Sequence, residues 1–207
     1  MKINRPFANI IVVDALPSKY SGTSKLIYDF LDRNHQKQTI KNIIICRAKK
    51  LTIMRYHNLN TIISLPYPSN SNNYVLRFLD YFLASFLFII ILVRYNTRLL
   101  FSITLWDISI LLNFYAKILG VKRITELSLV GSDDPLTLSI HNTSYNKLKL
   151  YQLKVANHIY CVSTALYNTC IEFGFEEKKL TKKINSPDSN IFYYVNQKRQ
   201  FEIRESL

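Results

Sequence analysis

Residues 99–129 read LLFSITLWDISILLNFYAKILGVKRITELSL, and this stretch decides the fold class. Residues 99–104 form a short, mostly apolar run that is typical of a strand buried in a parallel sheet. Asp107 is a suitable N-cap for a helix over residues 108–119, and Gly120 is a suitable C-terminal stop. Residues 121–129 are predicted as the next strand. Strand, helix and strand in this order are typical of an α/β protein.

The same alternation continues in both directions along the chain. Toward the N-terminus, the sequence predicts strands over 10–13, 43–46 and 61–65 and helices over 24–34 and 74–95. Toward the C-terminus, it predicts a turn over 131–135, a helix over 145–156, a strand over 159–162, a helix between Ser163 and Gly174, and a strand over 179–184. We therefore predict one doubly wound, Rossmann-like α/β domain over residues 1–185, with a mostly parallel sheet and helices on both faces.

The composition excludes several other classes of protein. The 207 residues are 48% hydrophobic, which is too apolar for a disordered chain, and only 4 Gly and 6 Pro exclude collagen-like and low-complexity sequences. The 3 cysteines are odd in number and lack a CxxC spacing, so we expect reduced thiols rather than disulfides or a zinc site. No signal-peptide cleavage site follows the first apolar stretch, and we expect a cytoplasmic protein.

Positive charge is concentrated in the first half of the chain. Residues 1–100 carry 14 basic and 4 acidic side chains, whereas residues 101–207 carry 13 and 10. Such a surface attracts anionic lipid, phosphorylated substrates or nucleic acid, but it is equally consistent with an ordinary solvated face. Nucleic acid is the least favoured partner, because the sequence has no recognised binding motif and only Tyr56 interleaves with the basic run.

Residues 81–93 (YFLASFLFIIILV) form the longest uncharged apolar run in the chain. Thirteen helical residues measure about 20 Å, which is short of the roughly 30 Å hydrocarbon core of a bilayer. We expect a helix that is buried on most of its sides. The alternative is a helix in the membrane interface with Arg77, Arg94 and Arg98 near lipid phosphates, which would make the protein peripheral on the cytoplasmic face of the membrane.

Ligands of doubly wound folds bind beyond the carboxyl ends of the strands, and several polar residues are predicted there. Gly22 precedes a helix whose backbone N–H groups suit a phosphate, although it also suits a tight turn. Asp133 and Asp134 are suited to accept hydrogen bonds from sugar hydroxyls or to cap a helix. We interpret Trp106 as a packing residue and His141 as a surface histidine near the cleft. No catalytic triad, metal site or cofactor motif is present, and we expect neither a metal nor a cofactor.

Four short segments in the second half of the chain resemble the N-terminal domain of family 4 glycosyltransferases, which have the GT-B fold. They are VKRITELSLVGSDDP (121–135), KLKLYQLKVANHIYCVSTAL (147–166), FGFEEKKL (173–180) and INSPDSNIF (184–192). Their order and spacing carry the resemblance, because each segment alone is weak. The first 120 residues match only in the layout of strand, Pro17, Gly22 and helix.

The resemblance implies an acceptor-binding domain of an enzyme that transfers a sugar from a nucleotide-sugar to a glycan or lipid-linked acceptor. It places residues 186–207 in a linker that crosses toward a second domain. It also implies three groups of site residues: Ser21, Gly22 and Thr23 in the loop that faces the donor phosphate; Glu126, Asp133, Asp134 and His141 on the acceptor side of the cleft; and Asn185, Asp188 and Phe192 at the interdomain crossover.

Three departures from the family pattern shape the expectation of function. The donor domain is missing after FEIRESL, Val130 stands where the family often has a histidine, and the Gly pair of the first loop is reduced to Ser21-Gly22. We therefore expect a hexosyltransferase-type activity only together with a donor-domain subunit, as in a split enzyme. The alternative is a truncated, non-catalytic scaffold or membrane-surface protein derived from such an enzyme.

Overall fold

A computed structural model of the chain contains an eight-stranded sheet flanked by helices. It describes residues 7–15, 27–28, 31–32, 40–48, 50–56, 59–66 and 74–183. The strands are β1 Ala8–Ala15, β2 Lys41–Ala48, β3 Thr52–Tyr56, β4 Asn60–Pro66, β5 Thr97–Ile103, β6 Lys122–Leu127, β7 His158–Cys161 and β8 Leu180–Lys182. The helices are α1 Tyr74–Arg94, α2 Asp107–Ile118, α3 Pro135–Ile140, α4 Ser144–Lys154 and α5 Thr164–Glu172, followed by a 3₁₀ turn, Glu177–Lys179. Residues 27–28 and 31–32 are also helical.

The strand order is β3-β4-β2-β1-β5-β6-β7-β8, and every neighbouring pair is parallel except β3 with β4. The predicted class, a doubly wound α/β fold, is therefore confirmed. The chain winds outward from β1 in one direction through β2 and β4, and then returns to β5 on the other side of β1. This reversal leaves a crevice at the carboxyl ends of β1 and β5, which is the usual place for a ligand in such folds.

The central strands are apolar because both of their faces are covered. On β1, Ile10 and Val12 belong to one buried cluster, and Ile11 and Val13 belong to another on the opposite face. A strand buried on both sides shows a continuous apolar run instead of an alternating one. This pattern is why these strands could be located in the sequence.

Among the described elements, the strand β3 and the helix α3 were not predicted. The antiparallel edge strand β3 lacks an apolar pattern, because it is largely solvent-exposed and Ile53 is 70% accessible. The short helix α3 begins where the sequence predicted only a turn. Asp134 is its N-cap and Pro135 occupies its first position, so the same turn residues also start a helix.

Helix α1 has two unlike faces, and the expectation that it is buried on most sides is wrong. Phe88, Ile91 and Leu92 pack into the core, whereas Phe82 and Phe86 on the other side are about 60% exposed. One covering layer against the sheet can bury only one face of a helix. Among the described residues, no helix is both long and apolar enough to cross a membrane.

The helix ends agree with the capping residues predicted from the sequence, except at the start of α2. Ser163 caps α5 by accepting a hydrogen bond from the Leu166 amide at 3.2 Å, as predicted. Gly120 and Gly174 follow helix ends with φ values of 69° and 88°, conformations that favour glycine. Asp107, however, is the first residue of α2, and Trp106 occupies the N-cap position without a capping side-chain bond.

Candidate functional site

A cavity of about 580 Å³ lies at the carboxyl ends of the central strands, where the direction of winding reverses. The ends of β1 and β2, the first turns of α2, and the sides of α1 and α4 form its walls. The lining residues are Val12, Val13, Arg47, Tyr81, Trp106, Asp107, Ile108, Ser109, Ile110, Leu111, Tyr145 and Leu148. Its position matches the general rule for ligand sites in doubly wound folds.

Trp106 provides the largest aromatic surface of the cavity. It lies between β5 and α2 with extended backbone angles, and its side chain is 37% exposed. The guanidinium carbon of Arg47, at the end of β2, lies 5.8 Å from the centroid of the indole ring. This cation–π contact brings together residues that are 59 positions apart in the chain.

Asp107 and Tyr81 form the polar edge of the cavity. The Tyr81 hydroxyl donates a hydrogen bond to Asp107 Oδ2 at 3.1 Å, which joins α1 to the beginning of α2. A carboxylate in the first turn of a helix is stabilised by the positive end of the helix dipole. Asp107 is only half-buried, and a carboxylate can accept several hydrogen bonds at once.

The connection that carries Trp106 is held in an unusual backbone conformation. Thr104 has a φ of 64°, which is uncommon for a β-branched residue and costs on the order of 1–3 kcal/mol. The Ser109 hydroxyl is 3.2 Å from the carbonyl oxygen of Thr104 and 2.8 Å from that of Trp106. The Thr104 amide donates to the carbonyl of Glu126 at 3.0 Å. These bonds fix the bend, and strain of this kind is often found at functional sites.

Asp133 is linked through Lys149 to the cavity wall. It is 3% exposed, and its Oδ1 lies 3.7 Å from Lys149 Nζ, which lies 5.1 Å from the ring centroid of the cavity residue Tyr145. Burial raises the pKa of the Asp133 carboxyl, and the nearby Lys149 offsets only part of this rise. The ion pair thus supports the cavity wall formed by α4.

Asp134 points instead into its own turn. Its carboxylate accepts hydrogen bonds from the amides of Gly131 at 2.6 Å and Thr137 at 2.8 Å. Burial alone would raise the pKa of Asp134, but these hydrogen bonds outweigh it and the pKa is lowered. Both carboxylate oxygens therefore hold the backbone that starts α3.

Glu126 lies on the opposite face of the sheet from α1 and α2. It is in register with Ile103 of β5, which belongs to the cluster on that other face. Its carboxylate is buried, and Oε2 lies 2.6 Å from Lys183 Nζ. Glu126 does not line the cavity.

The remaining predicted site residues are not brought to the cavity. His141 is exposed at the C-terminal end of α3, and its carbonyl accepts a hydrogen bond from the Asn146 side chain at 2.7 Å. The predicted donor-facing loop and crossover residues lie outside the described residues; they are Ser21, Gly22, Thr23, Asn185, Asp188 and Phe192. In the described ranges, no three His, Cys, Asp or Glu side chains are grouped as they would be in a metal site.

Five lining residues were not predicted as site residues: Trp106 was interpreted as a packing residue and Asp107 as an N-cap, and Arg47, Tyr81 and Tyr145 were given no role in a site. Arg47 could have been found, because it is the first charged residue after a buried apolar run and so lies at a strand's carboxyl end. Tyr81 begins the apolar run over 81–93, and its hydroxyl group could have indicated a polar contact at the start of that run. Tyr145 carries no such signal, because its place in the wall depends on how α4 packs against α2.

The sequence matches no protein-family model and no curated protein, but solved structures share its fold. Sucrose-phosphate synthase from Thermosynechococcus elongatus superposes with a TM-score of 0.59 at 10% identity, over 98% of this chain and 53% of that one. HepE from Anabaena, solved in complex with UDP-glucose, gives 0.54 at 12% identity, over 96% of this chain and 49% of that one. UDP-GlcNAc 2-epimerase from Methanocaldococcus jannaschii gives 0.54 at 11% identity, over 86% and 45%.

The chain has the fold of a GT-B glycosyltransferase-type domain. It spans about half the length of each of these three structures. The three structures are a synthase, an epimerase and a protein solved with UDP-glucose. Because their names differ in this way, the shared fold does not select a reaction. The choice must come from the chemistry of the cavity.

Proposed function

We propose that this chain is the acceptor-binding domain of a family 4 type glycosyltransferase and that the cavity at the strand reversal holds the acceptor sugar. The observation that carries this proposal is the pairing of Trp106 with Asp107 in one cavity wall. An aromatic ring can stack on the C–H face of a sugar, while a neighbouring carboxylate accepts hydrogen bonds from its hydroxyls. Arg47 on the ring and Tyr81 on the carboxylate hold the pair in place.

The size and character of the cavity agree with this role. A volume of about 580 Å³ falls in the range of small-molecule sites and is ample for a monosaccharide with part of the group it is linked to. Apolar residues such as Leu111 and Leu148 line the rest of the wall, so a few polar groups orient the ligand while apolar surface encloses it.

In the proposed reaction, the acceptor hydroxyl oxygen forms a bond to the anomeric carbon of the donor as the bond from that carbon to the nucleotide phosphate breaks. The proton of the hydroxyl leaves with a base, and the nucleotide diphosphate departs with the electron pair of the broken bond. A second, nucleotide-sugar-binding domain supplies the donor side. Ser21, Gly22 and Thr23 remain our proposal for the loop that faces the donor phosphate, and Asn185, Asp188 and Phe192 for the crossover.

The test is sugar transfer by the native assembly, isolated from its own cells through a tag on this chain. Transfer from radiolabelled UDP-glucose and UDP-GlcNAc to the extracted glycans and lipids is compared for wild type, Trp106→Ala and Asp107→Asn. We expect at least a tenfold loss for Asp107→Asn, because hydrogen bonds to charged groups contribute about 1.5–3 kcal/mol, and a loss of the same order for Trp106→Ala, which removes the stacking ring. Phe114→Ala, an exposed position on α2 outside the cavity, is the matched control and should keep full activity.

Equal activity of wild type, Trp106→Ala and Asp107→Asn would exclude the cavity as the acceptor site. Absence of transfer from both donors, together with absence of sugar binding by the isolated chain, would favour the non-catalytic scaffold function instead.

A further inference from the structure

The outward side of α1 is an uninterrupted apolar surface. We call it the α1 outer face, and it consists of Phe82, Leu83, Phe86, Ile89, Ile90 and Val93, which are 39–61% exposed. Their spacings of three, four and seven residues place them on one side of the helix. The surface runs for about 16 Å along the axis.

This composition is unusual for a surface helix of a globular domain. Such a helix normally has charged or polar residues opposite its buried stripe, but residues 81–93 contain no charged side chain at all. The inward side already packs against the sheet through Phe88, Ile91 and Leu92, so burial in this domain does not account for the outward side. Contiguous exposed apolar surfaces of this kind mark interaction sites.

Cations gather at the C-terminal end of the α1 outer face. Lys41 Nζ lies 4.5 Å from the Tyr95 ring centroid, just beyond the helix. Arg94 directly precedes Tyr95 in the chain, and Arg55 on β3 lies across β4 from the start of β2, where Lys41 is. The three side chains therefore lie in one region, and the pKa of Lys41 is lowered by burial and further by the nearby charges of Arg55 and Arg94. Within the described part of the chain, no ion pair joins any of the three to a carboxylate.

We propose that the α1 outer face, with the Lys41, Arg55 and Arg94 cluster at its end, docks the protein on an anionic lipid membrane. The helix lies in the plane of the interface with its apolar side chains among the acyl chains, and the cations contact lipid phosphates. Charge complementarity selects lipid over a second copy of this chain, because a second copy would bring another cationic cluster and no carboxylate on its own α1 outer face.

Docking in this way brings the cavity next to the membrane. Tyr81 lines the cavity and directly precedes Phe82, the first residue of the α1 outer face. A lipid-linked acceptor could then keep its lipid in the bilayer while its sugar enters the cavity. This consequence for the substrate rests on the proposed function, whereas the docking itself does not.

Vesicle co-sedimentation of the full chain tests the docking without any sugar. Vesicles of phosphatidylglycerol and phosphatidylcholine in equal amounts should bind the wild type, and phosphatidylcholine alone should bind it more weakly. Phe82→Ser/Phe86→Ser/Ile90→Ser should lose about tenfold or more in affinity. Ile140→Ser on α3 changes an equally exposed apolar residue (68%) on another helix and should bind as the wild type does.

A second variant tests the contribution of the cationic cluster to vesicle binding. Lys41→Gln/Arg55→Gln/Arg94→Gln should lose roughly a hundredfold at low salt, because each basic residue near an anionic surface contributes about a fivefold gain. High salt should weaken wild-type binding in the same direction. Equal binding of the wild type to both kinds of vesicle, or equal binding by this variant, would overturn the electrostatic part of the proposal.

Insertion is measured with an apolar replacement that keeps the surface intact. Phe86→Trp in a Trp106→Phe background should be quenched by brominated lipids, whereas Ile140→Trp in the same background should not. A missing quench at position 86 would overturn the insertion, and a dimer that forms without lipid and that Phe86→Ser dissociates would show that a second copy covers the α1 outer face instead. Asp107→Asn should bind vesicles normally, so failure of docking and failure of the proposed sugar site are separate results.

Discussion

The cavity and the turn at residues 131–134 lie at the same edge of the sheet, yet they use their carboxylates differently. In the turn, Asp133 and Asp134 are each only 3% exposed and bind groups of their own domain. In the cavity, Asp107 is half-buried beside the exposed ring of Trp106. The two regions have similar residue types, and accessibility distinguishes them.

A carboxylate at a strand end is therefore not by itself a ligand group. Asp134 is fully engaged in starting α3, and Asp133 balances a buried lysine. Asp107 has one tyrosine partner and room for a ligand in front of it. Changes in the turn should therefore alter stability, and changes in the cavity should alter binding.

The largest effect should come from unpairing Asp133. Lys149→Met leaves a buried carboxylate without its cation, and we expect a loss of about 3 kcal/mol in the free energy of unfolding at neutral pH. Urea denaturation measures this loss, and Lys147→Met on the exposed side of α4 is the matched control. The double variant Asp133→Asn/Lys149→Met should recover most of it. A loss below about 1 kcal/mol would mean that the pair does not support α4.

The next effect should appear in the cavity as a change of binding. Asp107→Asn keeps an oxygen for the Tyr81 hydroxyl but removes the charge, and we expect sugar binding to weaken by about 2 kcal/mol, or roughly thirtyfold. The free energy of unfolding should change by less than about 1 kcal/mol, because the charge contributes only a helix-dipole interaction and the Tyr81 hydrogen bond keeps an oxygen acceptor. Calorimetry with an alkyl glycoside measures the binding. A loss of stability without a loss of binding would mean that Asp107 has a structural role, like the carboxylates of the turn.

A smaller effect on stability should follow from removing the α3 cap. Asp134→Ala leaves the Thr137 and Gly131 amides without their acceptor and should cost about 1 kcal/mol in the free energy of unfolding. Asp134→Asn is the conservative control and should retain most of the stability, because asparagine is also a good N-cap. Sugar binding should be the same in both variants; a tenfold loss in either would place Asp134 in the binding site.

The smallest effect is a difference in sign between the two adjacent carboxylates. The pKa of Asp134 is lowered in the folded protein, so its stabilising contribution is present above the unfolded pKa of about 3.9 and is lost as the pH falls through the folded value. The pKa of Asp133 is raised, so the wild type loses stability relative to Asp133→Asn as the pH rises from about 3.9 through the folded value. Urea denaturation across this range gives the stability of the wild type relative to Asp133→Asn and relative to Asp134→Asn. These two differences should change with pH in opposite directions, and a change in the same direction would contradict the assignment.

Most of the sheet could be predicted because its strands are buried on both faces. Residues 43–46 and 61–65, for example, fall within β2 and β4. The edge strand β3 could not, because its side chains face solvent and its pairing with β4 depends on the tertiary structure. The two-faced burial of α1 was also missed, since an apolar run looks the same whether one side or all sides are covered.

The candidate site was less predictable than the fold. Trp106 and Asp107 were predicted to follow β5, but as a packing residue and an N-cap and not as parts of a site, because their surroundings were not visible in the sequence. Arg47 and Tyr145 come from β2 and α4, far apart in the chain, and only the folded sheet brings them to one cavity. The polar turn was the stronger sequence signal, and its carboxylates proved to be buried.

The binding of the acceptor sugar in the cavity can be measured directly, because the cavity contains an intrinsic fluorophore. Trp106 is the single tryptophan of the sequence and lines the cavity, so its fluorescence responds to a ligand there. Titration of the full chain with octyl glucoside, below the concentration at which it forms micelles, should give a saturable change that is at least tenfold weaker in Asp107→Asn and unaltered in Asp134→Asn. A signal that does not saturate, or that Asp107→Asn leaves unchanged, would contradict binding of the acceptor sugar in the cavity.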